Sequence, residues 1–167
     1  MNKILFIITI IFILNNCGGF EFVYKTNKND FLIHNAINIG VSGDDADRVY
    51  ISLRDVVGDQ EDSPKYRLLV NSAKTESAVV INKDATASKF KIEYSINYDF
   101  YNLYNNCKVF NKKITTVSTY SAKAAGYSFG TDMSQKESGA QNINNNINEF
   151  ISSFNQLLDT DSCVGDD

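Results

Sequence analysis

The sequence predicts an α+β domain, a two-layer sandwich with two helices on a four-stranded, mostly antiparallel sheet, in the order β-α-β-β-β-α. Three observations carry this. Phe90, Ile92, Tyr94, Ile96, Tyr98 and Phe100 alternate with Lys89, Lys91, Glu93, Ser95, Asn97 and Asp99, six consecutive matches to the period of a half-buried strand. Ala46, Val49, Tyr50, Leu53, Val56 and Val57 recur at helical spacing. Ala140, Ile143, Ile147, Phe150, Ile151, Phe154, Leu157 and Leu158 form a long apolar stripe. Two amphipathic helices each need an apolar surface to cover, and the Phe/Tyr/Ile face provides it.

The elements follow in order. Ala36 to Val41 reads as a first strand. Ser42 and Asp44 are the expected N-caps of the first helix, with Asp44, Asp45 and Asp47 in its first turn, where the helix dipole favours anions. Gly58 stops that helix, and Asp59 to Pro64 is an acidic loop. Tyr66, Leu68 and Val70 alternate with polar neighbours, and Val79-Val80-Ile81 follows, so this stretch is one long strand or a kinked pair. A polar turn over Asn82 to Ser88 leads into the Phe90 to Phe100 strand. Asn105-Asn106 supplies the next turn, and Lys108 to Tyr120, rich in Thr, Val and Tyr, is the fourth strand. The last helix is expected from Asp132 to Leu158. Asn144-Asn145-Asn146 lowers its intrinsic propensity, so tertiary packing must hold it. The 20 Asn of the chain form no motif.

The N-terminus sets the compartment. Met1-Asn2-Lys3 precedes eleven uncharged residues, Ile4 to Leu14, the layout of a secretory signal peptide. Eleven residues of helix span only ~16 Å, half of a ~30 Å hydrocarbon core. Cys17 follows directly, where a bacterial lipoprotein carries its acylated cysteine. Leu14 occupies the expected lipobox position, and Asn16 stands where Gly, Ala or Ser is usual. The organisation is thus a signal peptide over 1–16, a lipidated tether over 17–35, one α+β domain over 36–163 and an acidic tail over 164–167. Loss of the first 16 of 167 residues removes Lys3 and no acid, leaving 151 residues and moving the net charge from -4 to -5. Gly18, with no Asp after the cysteine, points to the outer membrane.

The chemistry-bearing residues are few. A net negative charge argues against a nucleic-acid partner. His34 is the single imidazole; with no Ser or Cys motif beside it, it reads as a surface or packed side chain. The acidic trio at Asp44, Asp45 and Asp47 lacks the glycine and distal Glu of a calcium loop. Asp59, Glu61 and Asp62 read as a solvated loop. There is no phosphate-binding glycine motif and no CxxC pair, so no cofactor, metal site or enzyme activity is expected. Lys108, Lys112 and Lys113 make a basic spot on the fourth strand, read as edge protection or as an anion contact. With Cys17 acylated, Cys107 and Cys163 remain, an even number in an oxidising compartment. A last helix running back along the fourth strand brings them together, and a Cys107–Cys163 disulfide is predicted.

The signal peptide, Cys17-Gly18-Gly19-Phe20 and this element order resemble the LPS-assembly lipoprotein (LptE) family of Gram-negative outer membranes. The matching parts are Cys17, Gly18 and Phe20, the Tyr66 to Val70 and Phe90 to Phe100 strands, Tyr120, Tyr127, and the helix carrying Ala140, Ile143, Ile147 and Ile151. Asn16 and the doubled Gly18-Gly19 depart from the family pattern. The resemblance implies a non-enzymatic protein, palmitoylated at Cys17 and held at the periplasmic face of the outer membrane. It implies a plug and assembly partner of an LptD-like β-barrel, assisting lipopolysaccharide insertion at the cell surface. Lys74, Lys83, Lys112 and Lys113 are then candidate contacts for lipid A phosphates. The competing expectation is a pilot or assembly lipoprotein of a different envelope complex.

Overall fold

The computed structural model describes residues 36–58, 63–83, 87–122, 128–156 and 163. The signal segment 1–16, Cys17, the tether 17–35, His34, the acidic loop residues 59–62, Tyr127, Leu157, Leu158 and the tail 164–167 lie outside the described residues.

The elements are β1 (Ile37–Gly43), α1 (Ala46–Val57), β2 (Tyr66–Ile81), β3 (Ala87–Asn102), β4 (Cys107–Ser121) and α2 (Ser128–Asn155). They form a four-stranded mixed sheet in the order β1-β2-β3-β4. β1 lies parallel to β2, with Ile39 opposite Leu68, while β2–β3 and β3–β4 are antiparallel. The parallel pair needs a crossover, and α1 is that crossover. β2 is one continuous strand whose register with β3 slips between Ala78 and Ile81. The sequence boundaries shift modestly. β1 runs two residues past Val41, and α2 starts four residues before Asp132 and ends at Asn155.

Both helices cover one face. Along β2, Leu68, Val70 and Ser72 are buried while Arg67, Leu69 and Asn71 are exposed. On β3, Ile92, Tyr94, Ile96, Tyr98 and Phe100 are all buried, as their alternation requires. α1 adds Val49, Leu53 and Val57, and α2 adds Ile143, Ile147, Phe150 and Phe154. Aromatic rings fill the space under α2. Tyr98 stacks on Phe150 at 4.2 Å between centroids, and Phe100 meets Phe154 at 4.6 Å. Phe110 sets its ring nearly edge-on to both phenylalanines of the helix.

The start of α1 differs from the expected cap. Neither Ser42 nor Asp44 caps it. Asp45 stands at the N-cap with a left-handed backbone, φ 51°, and makes no side-chain capping bond. Its neighbours are engaged elsewhere: the Ser42 hydroxyl donates to the Val70 carbonyl, and the Asp44 carboxylate accepts the Lys74 amide at 2.8 Å. Only Asp47 of the acidic trio lies in the first turn. Gly43, at φ 92°, allows the entry; a Cβ there would fall 2.0 Å from the Ser72 carbonyl oxygen.

Candidate interaction surfaces

Three features of the sandwich bear on function: a polar seam inside it, a bare sheet face outside it, and its two contrasting ends.

The seam joins α2 to the sheet. Asn146, fully buried, donates through Nδ2 to the Ile114 carbonyl at 3.0 Å and the Thr116 hydroxyl at 2.9 Å, and its Oδ1 accepts the Tyr98 hydroxyl at 2.8 Å. One turn earlier the buried Asn142 donates to the Ile92 carbonyl at 3.0 Å. Ser138 accepts the Ser118 hydroxyl on its carbonyl and donates its own to Thr119. Near the other end of the helix, Lys112 donates to the Ser153 hydroxyl at 2.6 Å. Every one of these groups would be an apolar–polar mismatch if α2 packed by its stripe alone. Sequence reasoning missed this seam. Its only signal is that 138, 142 and 146 repeat every four residues beside the apolar stripe.

A second polar cluster braces α1. The Tyr94 hydroxyl donates to the Asp45 carboxylate, which also meets Lys74 at 3.6 Å. The Tyr94 bond, with Lys74 and Arg48 nearby, holds the Asp45 carboxyl below its ordinary range despite partial burial. Burial and that same carboxylate push the Tyr94 hydroxyl up. Toward the end of the sheet where Phe90 and Tyr120 stack, the Tyr120 hydroxyl and the Gln135 amide both donate to Glu76.

Among the described residues no helix covers the opposite face of the sheet, which mixes polar side chains with the exposed Leu69 and Val117 and with Lys113 opposite Asn97. Asn71 donates to Ser42 at 3.0 Å, Ser95 and Thr115 pair across β3–β4 at 3.2 Å, and Asn111 donates to Asp99 at 2.7 Å. Toward one end Lys108 pairs with Asp99 at 2.7 Å. Burial raises the Asp99 carboxyl, but the bonds from Lys108 and Asn111 outweigh it and leave it below its usual value.

The two ends differ. At one, Val79, Val80 and Ile81 are exposed by 53%, 43% and 66%, followed by the exposed Lys83. At the other, Ala36 enters the sheet beside the Leu103–Asn106 turn, and Asn106 takes the left-handed conformation the turn needs, φ 51°. Cys107, the first residue of β4, is joined by a disulfide to Cys163, with Cα atoms 5.7 Å apart, an unexceptional separation for a bridge.

The four lysines proposed as phosphate contacts do not converge. Lys74 faces α1 and lies against Asp45 and the Tyr94 ring. Lys112 is on the helix face, held by Ser153. Lys113 is exposed on the bare face, and Lys83 is exposed past the end of β2. Of the basic spot on β4, Lys108 is engaged with Asp99. Among the described residues, no three His, Cys, Asp or Glu side chains are placed to hold a metal ion, and no helix is long and apolar enough to cross a membrane.

No protein-family model matches the chain, and no curated protein matches it. Solved structures match it in fold. A protein classed as a lipoprotein from Caulobacter crescentus CB15 superposes with a TM-score of 0.60 at 13% identity, over 79% of this chain and 94% of that one. A minor lipoprotein from Acinetobacter baumannii gives 0.52 at 11% identity, over 75% and 93% of the two chains. An uncharacterized lipoprotein B from Nitrosomonas europaea gives 0.52 at 4% identity, over 76% and 90%. At such identities the likeness is one of architecture: the domain has the fold of these bacterial lipoproteins.

Proposed function

We propose that this chain is an outer-membrane lipoprotein, acylated at Cys17, that lies inside an LptD-like β-barrel as a plug and assembly partner and assists lipopolysaccharide insertion. The observation that carries the reading is the bare, polar face of the sheet. The lumen of a large outer-membrane barrel is itself polar and hydrogen-bonding, and a face of this kind is complementary to it. Asn71, Ser95, Asn97, Asn111 and Thr115 give the sheet a hydrogen-bonding surface, their side chains bridged to one another or to Ser42 and Asp99. The fold likeness to bacterial lipoproteins and the Cys17 signal both agree with an envelope location. Lys83 and Lys113, the exposed pair of the four lysines, are the contacts expected to meet lipid A phosphates.

Purification of the tagged full chain from membranes in mild detergent tests this. A large β-barrel protein in stoichiometric amount is the expected companion, and radiolabelled palmitate should mark the wild-type chain and not Cys17→Ala. Acylated protein with no barrel companion would instead make it a pilot or assembly lipoprotein of another complex.

A further inference from the structure

We infer that the outer edge of β4, from Lys113 to Thr119, is a docking edge onto which an extended, uncharged segment of the barrel companion adds as a fifth strand. The inference rests on the reading of this chain as an envelope assembly partner and names the contact through which it is held. Natural sheets blunt their free edges, because unpaired amides and carbonyls template pairing with another chain. Among the described residues, the free edges of β1 and β2 are blunted and that of β4 is not.

β1 is short, seven residues. β2 outruns it after Ser72, where Asp44 takes over: its amide donates to the Ser72 carbonyl and its carboxylate accepts the Lys74 amide. Farther on, the slip in register between Ala78 and Ile81 bends that edge away. β4, fifteen residues long, has neither device past Lys113. The Ala122 amide donates to the Ser88 carbonyl across the β3–β4 ladder, and bonding alternates along an unbroken register. Ile114, Thr116, Ser118 and Tyr120 therefore direct their backbone groups to β3, while Lys113, Thr115, Val117 and Thr119 turn theirs outward. All four outward residues are exposed, and the Ser138 hydroxyl meets the Thr119 carbonyl. From Ile114 to Ser121 there is no charge and no Pro, and β-branched residues predominate, a composition that favours strand addition. The lysines read as edge protection do not guard this stretch: Lys108 is paired with Asp99 and Lys112 reaches Ser153.

The position of α2 decides what can add here. Its polar residues bond β4 along its length: Ser138 with Ser118 and Thr119, Asn142 with Thr116, Asn146 with Ile114 and Thr116, Ser153 with Lys112. Ser138 to Ser153 is about 22 Å of helix, and Thr119 back to Lys112 is about 23 Å of strand, so the helix tracks the outermost strand. A second copy pairing antiparallel through β4 would lay its own α2 on the same face, over a strand only ~4.8 Å away. Two helix axes need about 8–10 Å, so the two copies collide. The strands of a closed barrel wall are already paired on both sides. What fits is an extended segment that is not part of the wall, with no helix above it, held by main-chain bonds. The edge borders the bare face of the sheet, so one companion can meet both.

Amide hydrogen exchange on the full-length chain, alone and in its detergent complex with the barrel companion, tests this. The Thr115 and Val117 amides are expected to exchange freely in the chain alone and to slow about hundredfold or more in the complex, as newly paired strand amides do. Val117→Pro removes an outward amide where an edge strand tolerates proline. It should cut companion capture about tenfold or more, with little change in the unfolding midpoint. Val117→Thr keeps the amide and should keep capture. Amides that stay fast in the complex overturn the strand addition, as does equal loss of capture in the Pro and Thr variants, and both leave the assembly reading standing. Amides already slow in the chain alone, or slowed in step with dimer formation, assign the edge to the chain itself or to a second copy and overturn the proposal. A chain that brings down no companion overturns the assembly reading and the docking edge with it.

Discussion

At the scale of single residues, the buried asparagine of α2 matters most. Asn146→Leu would keep the branched shape of the side chain, yet leave the Tyr98 hydroxyl and the Ile114 carbonyl short of a partner in a dry site. Each orphaned buried group costs about 1–3 kcal/mol, so the variant should lose roughly 3 kcal/mol in urea unfolding. Combining it with Tyr98→Phe should cost less than the two single losses added, because one missing bond is then counted in both. Asp45 gives a pH signature. Its folded pKa is below the unfolded value of 3.8, chiefly through the Tyr94 hydroxyl. The contribution is therefore complete above about pH 4 and is lost as pH falls through the folded value. In Tyr94→Phe the main cause is gone, and the decline of stability below about pH 4 should become shallower. At the alkaline side, burial raises Tyr94, Tyr98 and Tyr120 above 10.0. Their contribution is complete below the unfolded pKa and is lost as pH rises through the folded values. Absorbance titration should show three of the nine tyrosines ionising only as the chain unfolds.

At the scale of elements, the strand and helix patterns were legible wherever a single period ran unbroken. β3 is the clear case: from Ile92 to Phe100 its alternation of large and polar residues maps onto burial position by position, while Phe90 is only partly buried. The start of α1 was not legible, because three aspartates within four positions look alike in sequence. Only the sheet reveals that Asp44 reaches Lys74 and Asp45 reaches Tyr94. Gly43→Ala should test this junction. The added methyl meets backbone that cannot yield, at a φ unsuited to any side chain, so a loss of about 2 kcal/mol or more is expected in thermal unfolding. The disulfide acts at the same scale. It closes a segment of 56 residues that includes β4 and α2, which by loop-closure entropy stabilises the fold by up to about 4 kcal/mol. Paired Cys107→Ser and Cys163→Ser substitutions should lower the denaturant midpoint accordingly, and dithiothreitol should do the same to the wild type.

At the scale of the whole molecule, the described residues lay both helices on one face of the sheet and none on the other. The alternation announced a two-faced sheet, yet it carried no information about whether the second face would meet water or a partner. The same limit applies to the lysines. Their positions in sequence were plain, but only tertiary structure separates Lys74 and Lys112, engaged with Asp45 and Ser153, from the exposed Lys83 and Lys113. If the open face is a contact surface, its substitution should separate stability from assembly. Ala73→Glu with Thr115→Glu places two carboxylates two strands apart on that face, about 10 Å from each other. The unfolding midpoint should move little, as for other surface changes, while capture of the barrel companion in detergent should be abolished.

The polar seam has one more consequence, for how the helix finds its place. Ile143, Ile147, Phe150 and Phe154 are spaced so that sliding α2 by one turn, about 5.4 Å, would lay much the same stripe over the same aromatic bed. Apolar contact alone therefore tolerates several seatings. The two amides do not: displaced by four residues, Asn146 would reach the carbonyl that Asn142 serves, and Phe150 would face the Tyr98 hydroxyl and the Ile114 carbonyl with nothing to offer. The asparagines work as a detent on an otherwise smooth track, and the sandwich closes in one register.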